Sequence, residues 1–281
     1  ETIKQEAEYF RSENVRLKSS IGERYRLVDL IGKSPPMQRV YELILSAAVT
    51  DASVLIYGRS GTGKELVARA IHELSERAER PFVPVNCNAV PDTLIESELF
   101  GYRKGAFTGA DSDKAGVLAA AHTGTLVLDE VGDIGQPMQV KLLRALESGE
   151  YTPVGERKPR YADVRIVAAI NRDPFEMVRA GLLREDFFYR ISVIPIIVPP
   201  LSDRREDIPL LVEHFLEKTA PEGKDRRRLP VHVVDALMGY DWPGNVRELQ
   251  NVIQRYLTVG SLDFLRISAP GPDNLGRPAE Q

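Results

Sequence analysis

Apolar residues Val54–Tyr57 lead into Gly58-Arg59-Ser60-Gly61-Thr62-Gly63-Lys64-Glu65, and a helical pattern follows. Gly-x-x-x-x-Gly-Lys between a strand and a helix is a phosphate-binding loop. Its glycines let backbone N–H groups turn inward around phosphate oxygens, and the helix start adds the positive end of its dipole. Lys64 supplies a point charge for the β- and γ-phosphates of a nucleotide. Glu65 stands where Ser or Thr usually holds magnesium, so its carboxylate either meets the ion differently or serves another role.

A second chemical pair closes the apolar run Leu126-Val127-Leu128. Asp129 suits a water-mediated hold on Mg²⁺, and Glu130 suits orienting and polarising an attacking water. Asn86 and Asn171 each follow a strand. Either one holds the water, the γ-phosphate or Glu130 by neutral hydrogen bonds, or it only caps its strand end. Arg184 and Arg190 flank Glu185–Tyr189. An arginine supplied across an interface accelerates phosphoryl transfer roughly 10³–10⁵-fold; from sequence alone, surface salt bridges account for these two better. Arg247 follows Pro243-Gly244-Asn245, a stop-and-start signal in which Asn245 is the expected helix N-cap. It reaches a nucleotide if its helix folds back over the phosphate loop.

Between these two groups lies Gly105-Ala106-Phe107-Thr108-Gly109-Ala110. It is apolar at the tip and hinged by glycines. In a nucleotide machine such an inserted loop is expected to move with turnover and push on another molecule.

The elements that must position this chemistry alternate. Strands are expected at Val54–Tyr57, Phe82–Asn86, Leu126–Leu128, Arg165–Ile170 and Val193–Val198, each apolar nearly throughout, as in a parallel sheet covered on both faces. Helices are expected at Glu65–Glu76, Asp92–Phe100, Pro137–Glu147 and Pro174–Ala180. This is an α/β sandwich over residues 22–200, with ligands at the carboxyl ends of the strands. After Pro199-Pro200 only helices are expected, at Glu206–Lys218, Val231–Tyr240 and Val246–Val259, which form a small lid over 201–265. Residues 266–281 read as a disordered tail or cut linker. Residues 1–21 read as a helix with a seam at Ile3, Ala7, Phe10, Asn14, Leu17 and Ile21: a short coiled coil, or a helix laid on its own domain.

A net charge of −4 argues against binding nucleic acid through bulk positive charge. The single cysteine, Cys87, allows no internal disulfide and points to a reducing, cytoplasmic setting, with a buried thiol rather than a nucleophile. The longest apolar run, Ile191–Leu201, is broken by prolines and too short to span a bilayer, so no membrane association is expected. The chain starts at Glu1 rather than Met, and the expectation is a piece of a longer protein.

Together these residues resemble the central AAA+ ATPase domain of bacterial enhancer-binding proteins, the activators of sigma-54 RNA polymerase. The resemblance runs from about Leu30 to Val259. Its most specific element is Gly105–Ala110, the family's GAFTGA motif. Gly61–Glu65, Leu128–Glu130, Arg184–Asp186, Arg204–Pro209 and Trp242–Leu249 support it. Glu65 is normal in that family. The resemblance implies a P-loop ATPase with a five-stranded parallel sheet and a helical lid. It also implies assembly into a ring, commonly a hexamer, with ATP and Mg²⁺ between subunits.

By motif match, Ile31 and Gly32 would lie near the adenine, and Asn86 would hold Glu130 away until the right state is reached. Asn171 would be the first sensor and Arg247 the second. Arg184 and Arg190 would project into the neighbour's site. Phe107 and Thr108 would contact sigma-54 and nearby promoter DNA, and hydrolysis would move the loop so that a closed promoter complex opens.

Four letters depart from the usual pattern. Arg59 replaces a common Glu and Ile170 a common Thr. Tyr102-Arg103 replaces His-Glu, which leaves no glutamate there to hold the loop down by a salt bridge. No helix-turn-helix follows Val259, so an engine separated from its regulatory and DNA-binding parts is expected, and 1–21 would be the linker helix that could hold an inactive dimer. Two rivals stand beside this reading: another AAA+ remodelling ATPase with the same ATP residues, against which Gly105–Ala110 weighs, and a nucleotide-gated interaction module with negligible turnover, against which Lys64, Glu130, Arg184 and Arg190 weigh.

Overall fold

A computed structural model describes residues 25–219 and 229–260. The seam expected over 1–21 and the tail expected over 266–281 lie outside the described residues.

Five parallel strands form the central sheet: β1 (Val54–Tyr57), β2 (Phe82–Asn86), β3 (Thr125–Asp129), β4 (Arg165–Ile170) and β5 (Ile194–Ile197). Their spatial order is β5-β1-β4-β3-β2. Side chains alternate across the sheet, as the two-residue strand period requires. Leu55, Leu126, Leu128, Ile166, Ala168 and Ile170 enter one core. Val54, Ile56, Val127, Val167 and Ala169 enter the other. Burial on both faces explains why the inner strands β1, β3 and β4 read as apolar throughout; the edge strands β2 and β5 are only partly covered.

The helices flank this sheet. Those of six or more residues are α1 (Pro35–Ala48), α2 (Lys64–Glu73), α3 (Asp92–Phe100), α4 (Gln136–Ser148), α5 (Pro174–Arg179) and α6 (Glu185–Ile191), and a single helical turn, Val117–Ala120, precedes β3. Helix α1 has no counterpart among the helices expected from sequence. Its first two positions are Pro35 and Pro36, which suit a helix start because the missing N–H groups have no partner there anyway. It buries Met37, Val40, Tyr41, Ile44 and Ala47 on one face, at helical spacing. Helix α6 is also new relative to the sequence reading; it presents Arg184 and Arg190 at its two ends.

The lid follows: α7 (Ile208–Thr219), α8 (Val231–Gly239) and α9 (Asn245–Val259). Its own core closes around Trp242, with Leu201, Ile208, Leu211, Leu237, Leu249 and Ile253. The Trp242 indole N–H donates to the Leu237 carbonyl at 2.9 Å, so this large side chain is buried without an orphan donor. Helix α9 ends at Gly260, whose φ of +79° closes the last turn.

Two short hairpins project beside the sheet. Gly101–Tyr102 pairs with Lys114–Ala115, and Glu150–Tyr151 pairs with Arg160–Tyr161. A bridge from Tyr102 to Val154 joins them.

Candidate active site

Strand β1 ends at Tyr57, and residues 58–63 turn onto the N-terminus of α2. Gly63 has a φ of +103° at the helix start, a conformation that a side chain would strain. Lys64 is buried; its Nζ donates to the Gly58 carbonyl at 3.0 Å and lies 3.6 Å from Glu130 Oε1. Thr62 Oγ1 donates to the Arg59 carbonyl at 2.8 Å and ties the loop to itself.

Strand β3 delivers the two carboxylates. The chain reverses at Glu130, whose φ of +52° and ψ of +47° are left-handed and cost energy for a residue with a Cβ. This turn leaves Asp129 Oδ1 accepting from the Glu130 N–H at 3.1 Å and aims the Glu130 carboxylate at Lys64. Burial pushes the Glu130 pKa up, with Asp129 and Asp133 adding to the shift and Lys64 opposing it. Cys87 is buried, and its thiol is pushed up to about 12, mainly by burial and then by Asp129. That burial is as expected.

These groups face a cavity of about 620 Å³, within the range of small-molecule sites. Ser60, Gly61, Gly63, Lys64 and Glu65 form one wall; Asn86, Asp129, Glu130 and Asn171 come from the strand ends. Val246, Arg247 and Gln250 of the lid close it, so the lid is already folded over the phosphate loop. Arg247 Nη1 donates to Ser60 Oγ at 3.3 Å. Leu66, Asn88, Ala89, Val246 and Gln250 also line the cavity and were not expected from sequence. Asn88 and Ala89 are brought there by Asn86, whose Oδ1 accepts from both of their N–H groups at 3.0 and 3.2 Å. The strand-end capping role of Asn86 is thus the one its bonds display.

Several expected residues do not line this cavity. Gly58, Arg59 and Thr62 shape the loop from behind. Ile31 packs against the lid core, and a Cβ at Gly32 would meet Met37 and the Asp207 carboxylate. Arg184 pairs with Asp186 at 2.8 Å, and Arg190 Nη2 donates to the Leu146 carbonyl at 2.6 Å. One expectation is corrected: Asn245 does not cap α9. Gly244 holds that place, and Asn245 is buried with a φ of +53° and its side chain turned to Leu201 and Ser60.

The Gly105–Ala110 loop is a compact turn between glycines at φ +80° and +96°. The Gly105 N–H donates to the Ala110 carbonyl at 2.8 Å, and the Ala110 N–H donates to Phe107 at 3.0 Å. Thr108 is exposed, and Phe107 is 40% exposed with its ring edge-on to Tyr102 at 4.9 Å. The expected glutamate is missing, yet a salt bridge exists in the opposite sense. Arg103 pairs with Asp113, at the far end of the loop, and with Glu156 of the second hairpin at 2.7 Å. Glu156 also takes Arg160 at 2.8 Å, and the Lys104 N–H donates to Asp113 at 2.8 Å.

Among the described residues, no group of three or more His, Cys, Asp or Glu is placed to hold a metal ion. No described helix is long and apolar enough to cross a membrane.

Comparison with known proteins places this geometry. The sigma-54 interaction domain family matches residues 30–197, and the AAA+ ATPase lid domain family matches 202–269. The chain is 49% identical over 249 residues to the DNA-binding transcriptional regulator NtrC of Azospirillum brasilense, covering 89% of this chain and 52% of that protein. It is 50% identical over 237 residues to the transcriptional regulatory protein ZraR of Escherichia coli, covering 84% and 54%. Among solved structures, NtrX from Brucella abortus in complex with ATP superposes with a TM-score of 0.75 at 40% identity, covering 88% of this chain and 56% of that one. The chain spans about half the length of these relatives. With the phosphate loop, the five-stranded sheet and the lid in place, the chain belongs to the sigma-54 interaction domain family, the AAA+ ATPase domain of sigma-54-dependent transcriptional activators.

Proposed function

We propose that this chain hydrolyses ATP and uses the cycle to drive Gly105–Ala110 against sigma-54 RNA polymerase, converting a closed promoter complex to an open one. The observation that carries the reading is the joint presence, on one α/β unit, of the Lys64–Asp129–Glu130 cavity and a glycine-hinged loop with Thr108 exposed at its tip. Phe107 and Thr108 would meet sigma-54, with promoter DNA close by.

Lys64 and the amides around it would bind the phosphates, with Glu65 at the same wall and Arg247 reaching from the lid. Glu130 would orient and polarise the attacking water, since its partly buried carboxylate lines the cavity. Asn171 would sense the γ-phosphate from the end of β4. The site suits a magnesium ion held mainly by phosphates and water. Asp129, at the end of β3, would hold it through water, and Mg²⁺ keeps several waters rather than filling a protein cage. That ion would neutralise charge on the phosphates.

Arg184 and Arg190 do not line their own chain's cavity, which supports a role across a ring interface. A hexamer is the expected assembly. In this reading residues 22–200 form the nucleotide-binding part and 201–265 the lid, with 1–21 a linker helix and 266–281 a tail.

The test is Thr108→Ala. Phosphate release should persist at close to the wild-type rate while sigma-54 engagement is lost. If both fall together, the loop is part of the fold and not an effector. Turnover stimulated by DNA or polypeptide with no response to sigma-54 would favour a different AAA+ client. Nucleotide binding without phosphate release would favour an interaction module.

A further inference from the structure

Three consecutive carbonyls of the phosphate loop are held by the lid. The Ser60 carbonyl accepts from Asn245 Nδ2 at 2.9 Å. The Gly61 carbonyl accepts from the Val246 and Arg247 N–H groups, at 3.0 and 3.4 Å, and so caps the first turn of α9. The Thr62 carbonyl accepts from Arg204 Nη2 at 2.8 Å. The approach is close enough that a Cβ at Gly61 would run into the Gly244 carbonyl.

Neither side chain is an incidental surface contact. Asn245 is 1% exposed, and its Oδ1 accepts from the Leu201 N–H at 2.8 Å, which fixes the direction of its amide. Arg204 is 3% exposed, with Nη1 on the Met37 sulfur at 3.0 Å. It sits by Asp207, which accepts from the Lys33 and Ser34 N–H groups at 2.7 and 2.8 Å and from Ser34 Oγ at 2.7 Å. Both residues therefore belong to a buried polar seam that joins the lid, the start of α1 and the phosphate loop. Within it Arg204 Nε has no hydrogen-bond partner among the described residues, whereas both Nη groups of Arg204 and both ends of the Asn245 amide are paired.

A trans peptide is planar, and its C=O and N–H point in opposite directions. Holding the Ser60 and Thr62 carbonyls against the lid therefore turns the Gly61 and Gly63 N–H groups away from it. Both glycines line the cavity. The Thr62 N–H is used inside the loop, on the Arg59 carbonyl at 3.4 Å, so the outer two peptides are the ones left to meet an anion.

We propose that Asn245 and Arg204 are positioning residues for nucleotide binding. Through the carbonyls of Ser60 and Thr62 they hold the phosphate loop in its anion-binding shape, so lid docking and nucleotide affinity form one coupled equilibrium. This rests on the reading of the cavity as an ATP site. Coupling of this kind is reciprocal: what the lid gives to the nucleotide, the nucleotide returns to the lid.

Asn245→Asp isolates the tie. It keeps an oxygen for the Leu201 N–H but replaces the donor to Ser60 with an oxygen facing a carbonyl. In the full chain, the Kd for fluorescent ADP and the KM for ATP should both rise about tenfold, the loss of one hydrogen bond with an unpaired acceptor left behind. The loss should fall on KM rather than kcat; the nucleotide-free melting temperature should also fall, since Asn245 is buried and its paired amide is replaced, so the comparison is made well below that transition. A folded Asn245→Asp protein that binds ADP within about twofold of wild type overturns the proposal.

A second measurement needs no variant. ADP should slow hydrogen exchange at the Val246 and Arg247 amides, which donate to Gly61. Unchanged exchange at these amides on ADP binding also overturns it. A wild-type chain that binds no ADP removes the nucleotide reading of the cavity itself, and the coupling falls with it.

Discussion

Lys64 Nζ and Glu130 Oε1 stand 3.6 Å apart at the floor of the cavity, both largely buried. The lysine belongs to the phosphate loop and the glutamate to the end of β3. The pair therefore joins the group that would bind phosphate to the group that would activate water. Burial still outweighs the lysine in setting the Glu130 carboxyl, whose pKa is raised. Two consequences follow from that sign.

Glu130→Ala should leave nucleotide binding nearly intact and reduce phosphate release by roughly 10²–10⁴-fold, the usual contribution of a positioned base. In the wild type, turnover should fall on acidification from a pH above the ordinary carboxylate range, because the raised group takes up its proton early. Retained hydrolysis in Glu130→Ala would remove the water-polarising role.

The same shift predicts a stability change. A carboxyl with a raised folded pKa favours the fold at low pH, and that contribution is lost as pH rises through the raised value. Glu130→Gln should therefore raise the melting temperature at neutral pH by a few degrees, of order 1 kcal/mol for a domain of this size. A lower melting temperature would mean that the Lys64 pairing outweighs burial.

Arg190→Ala should cut phosphate release by about 10³-fold or more if the arginine completes a neighbour's site, with the isolated fold unchanged. Mixing is the decisive check. Arg190→Ala subunits lack the arginine and Glu130→Ala subunits lack the base, so mixed rings should recover activity at interfaces that pair an intact cavity with an intact arginine. No recovery on mixing, from proteins that co-assemble, would place Arg190 within its own chain's chemistry.

Glu156→Gln should loosen Gly105–Ala110. It weakens the grip of Arg103 and of Arg160 at once, since one carboxylate serves both. Exchange at the loop amides should rise several-fold while ATP binding is unchanged. Asp113 and Glu156 both have lowered pKa values, chiefly from the Lys104 N–H and the Arg103 guanidinium respectively. The clamp should therefore hold at neutral pH and release only on acidification below the ordinary carboxylate range. Loop exchange that rises between pH 8 and 6 would contradict this.

What could be read from the sequence was local. The phosphate loop, Asp129-Glu130 and the five strands announce themselves through spacing and apolar runs a few residues long. Helix α1 carries an equally local signal, Met37, Val40, Tyr41, Ile44 and Ala47 after two prolines, and periodicity alone suffices to find it. The rest depends on partners distant in the chain. Asn245 looks like an N-cap beside Pro-Gly, yet its partners are Ser60 and Leu201, 185 and 44 residues away. Arg103 looks like a lost glutamate until the fold brings Asp113 and Glu156 to it from two different hairpins. Gln250 becomes a wall of the cavity only because the lid closes.

The central claim is that the nucleotide state governs engagement of sigma-54 by the loop. The most direct measurement is binding of this chain to purified sigma-54 with ADP–aluminium fluoride, which mimics ATP at the transition state, beside ADP alone. The account predicts a complex with the mimic, none with ADP, and loss of the complex in Thr108→Ala. No complex with the mimic, from a chain that hydrolyses ATP and forms rings, would contradict it.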